Sequence, residues 1–316
     1  MNDAPPTTRP ARARLTSFPV ARVAGIEVRV HFTFLILVAL FAAAAPEPGV
    51  AAAFVSVGWL LSVFACVVIH EFSHCVVARR RGGQVHEILL FPLGGVSKLD
   101  RLPERPADEF AVAIAGPLMS LALAGAFAVV ALTKGDALLP IDVLRGAWFA
   151  RLAWLNLLLA GFNLLPAFPL DGGRVYRSLL ERHADLETAT RKATRVGHGF
   201  AVALIVAGLL FDIWLVLIGF FVYFGASAEQ AATIMHLRLA GHRVREVMRT
   251  DIDRLPTLPS PDRGSAAPDD LLTDELVNTV ATTPTREIAV VEGGELVGVL
   301  RIEDIQRFLE SAPTRR

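Results

Sequence analysis

Apolar residues in this chain fall in long runs separated by short polar connections. The first run covers Phe32 to Ala45, and others cover roughly Ala51 to Ala78, Phe110 to Leu132 and Ala147 to Leu165. The later three come near or above the ~20 residues that an α-helix needs to cross a hydrocarbon core, so the pattern up to Leu165 predicts four spans. A further apolar stretch, Gly199 to Phe224, fits either one long helix or a hairpin of two helices turning at Asp212. From about Val244 the pattern becomes that of a soluble domain. Pro256, Pro259, Pro261 and Pro268 mark a loop, Glu287 to Val291 and Glu295 to Leu300 predict strands, and Glu303 to Leu309 predicts a helix.

Composition agrees with a membrane protein. Of the 316 residues 53% are hydrophobic, and the mean hydropathy is +0.49, too apolar for an ordinary soluble domain. The Ala-rich end of the first run before Pro46 also suits a secretory signal, although the basic region ahead of it is long for one. Lys plus Arg equals Asp plus Glu at 31 each, so net charge gives no argument for a nucleic-acid partner.

The placement of the charges predicts topology. The N-terminal segment (Arg9, Arg12, Arg14, Arg22, Arg29) and the stretches Arg79 to Arg105, Arg174 to Arg195 and His236 to Arg249 are basic. Pro46 to Gly49 and Lys134 to Gly146 are poor in Lys and Arg. Basic connections stay in the cytosol, so an even number of spans must precede His236, which favours the hairpin at Asp212. The expectation is an α-helical polytopic protein of the cell membrane with about six transmembrane helices, both termini cytosolic, and a small α/β cytosolic domain. Its parts would be a tail at 1–29, a membrane domain at 30–226, a linker at 227–243 and the cytosolic domain at 244–316.

Cys66 and Cys75 are the only cysteines. On one helix they would stand about 13 Å apart along the axis, beyond the ~7 Å reach of a disulfide. They read as small apolar helix residues, and no Cys-based zinc site is available.

Within the second run lies His70-Glu71-Phe72-Ser73-His74. Helical spacing of i and i+4 puts both imidazoles on one face with Glu71 beside them, a geometry that suits two zinc ligands and a base. Such groups in lipid are costly, roughly 2.5 to 3.5 kcal/mol for an Asp at mid-helix, and need a partner such as zinc. The bland alternative is that they lie in water beyond the membrane edge. Zinc held by two histidines wants a third protein ligand and an open position. Asp171 is the candidate, in Asn163-Leu164-Leu165-Pro166-Ala167-Phe168-Pro169-Leu170-Asp171-Gly172-Gly173-Arg174, where the prolines interrupt the helix and the glycines permit close turns. By the charge rule, Asp171 and the histidine pair both fall at cytosolic ends of their spans. The remaining histidines, His31, His86, His183, His198, His236 and His242, show no metal-binding spacing.

The two motifs together resemble the intramembrane site-2 protease family. Phe91-Pro92-Leu93-Gly94-Gly95-Val96 looks like that family's re-entrant or hairpin segment between its second and third core spans, and Ala115-Gly116-Pro117-Leu118 looks like its third. The resemblance covers about residues 25 to 225. It implies one zinc per chain on His70, His74 and Asp171, Glu71 as base, and Asn163 positioning substrate or the oxyanion. The substrates implied are transmembrane proteins in the lipid bilayer, cut near the cytosolic face. A silent zinc-binding or partner-binding protein of the same fold, and a metal or proton transporter, stay open as alternatives.

Val244-Arg245-Glu246-Val247-Met248, Ile288-Ala289-Val290-Val291 and Leu296-Val297-Gly298-Val299-Leu300 resemble the start and end of a CBS domain. That resemblance implies a homodimer through this domain and an adenine nucleotide as ligand. The chain departs from it at Arg301, where a threonine commonly stands three residues before the aspartate, here Asp304.

Overall fold

The computed structural model of the chain describes residues 17–45, 49–83, 85–92, 94–99, 105–143, 146–251 and 265–311. Arg9, Arg12, Arg14, Pro46, Leu93, Pro256, Pro259 and Pro261, which figured in the sequence reading, lie outside them. Contacts divide the chain into two compact units, Met1–Ala226 and Ser227–Arg316.

The first unit begins with strand β1 (Ser17–Val23) and strand β2 (Ile26–His31), paired antiparallel. They join through Ala24 and Gly25, both at positive φ, as a tight hairpin turn requires. Ile26-Glu27-Val28-Arg29-Val30-His31 alternates apolar and polar residues, and the strand buries Ile26, Val28 and Val30 on one face. Residues 17–29, expected as part of a tail, are therefore mostly strand. β2 pairs parallel with β3 (Val85–Phe91), and β3 pairs antiparallel with β4 (Gly94–Leu99), in the order β1-β2-β3-β4. The predicted hairpin at Phe91 to Val96 is this β3–β4 connection.

Among the described residues, seven helices follow these strands or lie between them. They are α1 (Phe32–Ala43), α2 (Val50–Arg80), α3 (Pro106–Thr133), α4 (Trp148–Asn163), α5 (Asp171–Leu180), α6 (Leu186–Phe211) and α7 (Ile213–Leu239). The six expected spans correspond to α1, α2, α3, α4, α6 and α7. Four of these, α2, α3, α6 and α7, are long and apolar enough to cross a membrane. α1 and α4 are apolar but have only 12 and 16 residues. The chain is a membrane protein, and its outward faces carry apolar side chains such as Leu209, Phe211, Trp214 and Phe224, as lipid contact allows. Asp212 does break the last stretch into two helices, and its side chain accepts a hydrogen bond from Trp214 N–H at 2.9 Å.

The sheet rests on the C-terminal end of α2. Ile26, Val28, Val30, Ile88 and Leu90 share one buried cluster with Phe34, with Cys75 and Ala78 of α2, and with Val112 of α3. Cys66 and Cys75 are both free and buried, as the helical spacing implied. Asn156 of α4 is buried and donates to Leu152 O of its own helix at 2.9 Å.

In the second unit, residues 227–239, expected as linker, continue α7 as helix. A short 3₁₀ turn (Val244–Glu246) precedes β5 (Ser265–Ala266), α8 (Asp274–Thr282), β6 (Glu287–Glu292), β7 (Glu295–Arg301) and α9 (Ile302–Ser311). β6 and β7 form an antiparallel hairpin with β5 parallel to β6. Val244, Val280, Ile288, Val290, Leu300 and Ile305 make its core. The strand pair and last helix match the sequence reading; α8 was not foreseen, because its nine residues directly follow a polar, Pro- and Asp-rich stretch.

Candidate metal centre

His70 and His74 project from one face of α2 into the interior, where they are 3% and 6% exposed. Their Nε2 atoms stand 3.2 Å apart, and each is 3.2 Å from Asp171 Oδ2. Four ligands held tetrahedrally about 2.0–2.1 Å from a zinc ion are separated by roughly 3.3 Å, so this triangle has the size of one face of such a site. Among the described residues these three form the only His, Cys, Asp and Glu group able to hold a metal.

The far side of each ring is fixed by α3. His74 Nδ1 lies 2.7 Å from Val112 O, and a carbonyl only accepts, so Nδ1 carries the proton and Nε2 of the neutral ring presents a lone pair. His70 Nδ1 lies 2.9 Å from Ser120 Oγ, a side chain with no exposed surface. The lone pair of His74 Nε2 and the Asp171 carboxylate oxygen, 3.2 Å apart, repel one another unless a proton or a metal cation sits between them. The donor set, two imidazoles and one carboxylate, is one that zinc accepts.

Gly116 makes the room. A Cβ there would lie 2.2 Å from His74 Nε2 and 2.6 Å from His70 Nε2, so the rings occupy the volume that any side chain would take. Gly95 of β4 has a similar relation to Glu71: its Cβ would meet Glu71 Cγ at 2.7 Å. The strand thus passes directly over the carboxylate beside the candidate metal ligands.

Asp171 arrives by a sharp turn. Leu164 to Leu170 leave α4, and α5 starts at Asp171 itself. A Cβ on Gly172 would stand 2.2 Å from Leu165 O, and one on Gly173 2.6 Å from Phe168 N, so only glycine lets the first turn of α5 fold back on this loop. Phe168 is wholly buried in a cluster with Ala193 and Ala226, which seats the loop. Asn163 closes α4 at the head of the same loop, half-buried.

The sequence motifs thus place His70, His74 and Asp171 together and Glu71 beside them. Val112, Ser120 and the steric role of Gly116 were not legible, although Ala115-Gly116-Pro117-Leu118 had drawn notice. Of the other histidines, His31 lies 2.7 Å from Thr33 Oγ1, His236 pairs with Asp274, His242 with Glu246, and His198 stacks on Tyr223.

Comparison with known proteins meets the same region. The model of Peptidase family M50 matches residues 58–141 and 142–207. Rip3 of Mycobacterium tuberculosis is 37% identical over 250 residues, covering 73% of this chain and 63% of that protein. Zinc metalloprotease MJ0392 of Methanocaldococcus jannaschii is 29% identical over 295 residues, covering 92% of this chain and 80% of its own length. A solved structure, the site-2 protease from Methanocaldococcus jannaschii, superposes with a TM-score of 0.51 at 34% identity, covering 68% of this chain and 95% of that one. The chain therefore spans less than two thirds of the length of Rip3 and most of the solved protease.

Proposed function

Because the chain belongs to peptidase family M50, the site-2 proteases, we propose that it is a zinc-dependent intramembrane endopeptidase. Its substrates would be membrane proteins, hydrolysed within or near their transmembrane segments. The observation that carries the proposal is the 3.2 Å triangle of the buried His70 and His74 with the part-buried Asp171, and Glu71 alongside. Zinc, when bound, supplies Lewis acidity and lowers the pKa of water to about 7. His70, His74 and Asp171 hold the ion. Glu71 takes the proton from the attacking water on its carboxylate and returns it to the leaving amine. Asn163 positions the substrate or the developing oxyanion. The Gly94–Gly95 end of β4 offers backbone groups to an extended peptide, which a transmembrane helix becomes only after local unwinding.

The distribution of Lys and Arg supports cytosolic termini and a cut near the cytosolic face of the cell membrane. For the C-terminal unit the proposal includes a CBS-like fold, dimerisation and an adenine nucleotide. There Asp304 accepts hydrogen bonds from Arg249 at 2.9 and 3.0 Å, so a ribose would have to displace that arginine.

The test pairs metal content with cleavage. About one zinc per chain is expected in the parent, with binding weakened in His70→Ala and Asp171→Ala. Glu71→Gln should keep its zinc while cleavage of a reporter bearing a membrane span falls by about 10²-fold or more. Substantial cleavage by Glu71→Gln sinks the assignment of the base. Zinc flux into sealed vesicles without cleavage would favour a transporter instead.

A further inference from the structure

A contact between α3 and α5, about 9 Å along α5 from Asp171, is buried and ionic. Glu109 in the first turn of α3 is 9% exposed and Arg177 of α5 is 3% exposed. Arg177 Nε donates to Glu109 Oε1 at 3.0 Å, and Nη2 donates to the same oxygen. The guanidinium also lies 5.2 Å from the ring centroid of Phe168, in the loop that delivers Asp171.

The place of this pair on α3 is informative. Glu109, Val112, Gly116 and Ser120 follow one another at i, i+3, i+7 and i+11 and are all buried, so they form one stripe along α3. Three of the four belong to the metal site: Val112 and Ser120 hold the two rings, and Gly116 lies under them. On α5, Asp171 meets the rings at the level of Gly116 and Arg177 meets Glu109. Glu109 and Gly116 are about 10.5 Å apart along α3, and Asp171 and Arg177 about 9 Å apart along α5. The short helix thus runs antiparallel to α3, with Asp171 at one end against the rings that α3 holds and the Arg177–Glu109 ion pair at the other.

We propose that Glu109 and Arg177 are positioning residues for Asp171: the pair pins the far end of α5 so that the carboxylate is held at ligand distance from both histidines. This rests on the zinc reading above. A ligand at the start of a helix that follows a loop has freedom to swing, and groups that orient ligands change metal affinity by about 10- to 100-fold. A buried arginine with a forked donor geometry is suited to fixing a helix in register.

The experiment measures the zinc dissociation constant of the full chain in detergent by chelator competition, beside the visible spectrum of the cobalt(II) form. The variants are Glu109→Gln, the neutral pair Glu109→Gln/Arg177→Gln, Asp171→Ala, and Glu109→Gln in the Asp171→Ala background. The neutral pair covers the case in which a single change leaves a buried charge alone and unfolds the protein. Zinc affinity should fall about tenfold in Glu109→Gln and in the neutral pair, with altered cobalt bands. In the Asp171→Ala background the same change should cost less than about twofold, because the residue through which it acts is gone. Parent-like affinity and cobalt bands in both variants, or a tenfold loss that persists without Asp171, overturns the proposal. A parent that binds no zinc overturns the zinc reading instead, so the two failures are distinct.

Discussion

Replacing Gly116 by alanine asks whether the space beside the two imidazoles is reserved for the metal site. The added Cβ would fall 2.2 Å from His74 Nε2 and 2.6 Å from His70 Nε2, where ordinary contact is 3.4–4 Å. Both rings must therefore retreat by roughly 1 Å. Neither can do so freely, since His74 is held by Val112 O and His70 by Ser120 Oγ. Overpacking costs about 1–3 kcal/mol, and loss of either buried hydrogen bond a further 1–3 kcal/mol or so. The better helix propensity of alanine returns only about 1 kcal/mol. The net expectation is a destabilised site with its ligand triangle pulled open and zinc content below about a tenth of the parent's. Gly125 of the same helix is the control, because a Cβ added there would have nothing within 4 Å; Gly125→Ala should keep full zinc. Metal analysis of purified protein, with melting curves before and after chelation, reads both. One zinc per chain at parent affinity in Gly116→Ala would refute the steric argument.

Ser120→Ala removes the partner of His70 Nδ1 in a fully buried position, and zinc affinity should drop about 10- to 100-fold in chelator competition; no change would mean Ser120 does not orient the ring. Gly95→Ala pushes on Glu71 Cγ from 2.7 Å, so cleavage should fall by about 10²-fold with zinc content intact, and a loss of zinc with it would place the damage elsewhere. Burial, and then the like charge of Glu109, push Glu181 up to about 7 from an ordinary 4.5. Ionising it burdens only the folded state, so stability should decline as pH rises from about 4.5 through about 7. Glu181→Gln should therefore melt later than the parent above pH 7, by on the order of 1 kcal/mol after solvent screening, with the gap closing towards pH 5. A gap independent of pH would show that the carboxylate does not titrate in this way.

Much of the architecture is a local property of the chain and could be read from it. An apolar run of about 20 residues lowers its free energy in lipid wherever it sits, so α2 and α3 were visible in advance, whereas the turn at Asp212 was left open by the apolar pattern and favoured only by the placement of basic residues. The i, i+4 spacing of His70 and His74 fixes their common face in any helix, and the prolines and glycines around Asp171 require a turn in any fold. The alternation in Ile26 to His31 was equally local, yet the basic residues interleaved there read as a tail, and one of the two partners of β2, strand β3, lies beyond the whole of α1 and α2. What only the tertiary structure decided is which distant groups meet. Gly116 looks like any helix glycine until two imidazoles are found filling its missing side chain. Glu109 and Arg177 look like ordinary charges at helix ends until burial brings them together as an ion pair. Periodicity reports the transfer energy and backbone preference of one segment at a time. The distances between Asp171, the histidines and the α3 stripe arise from packing between segments, which no single segment encodes.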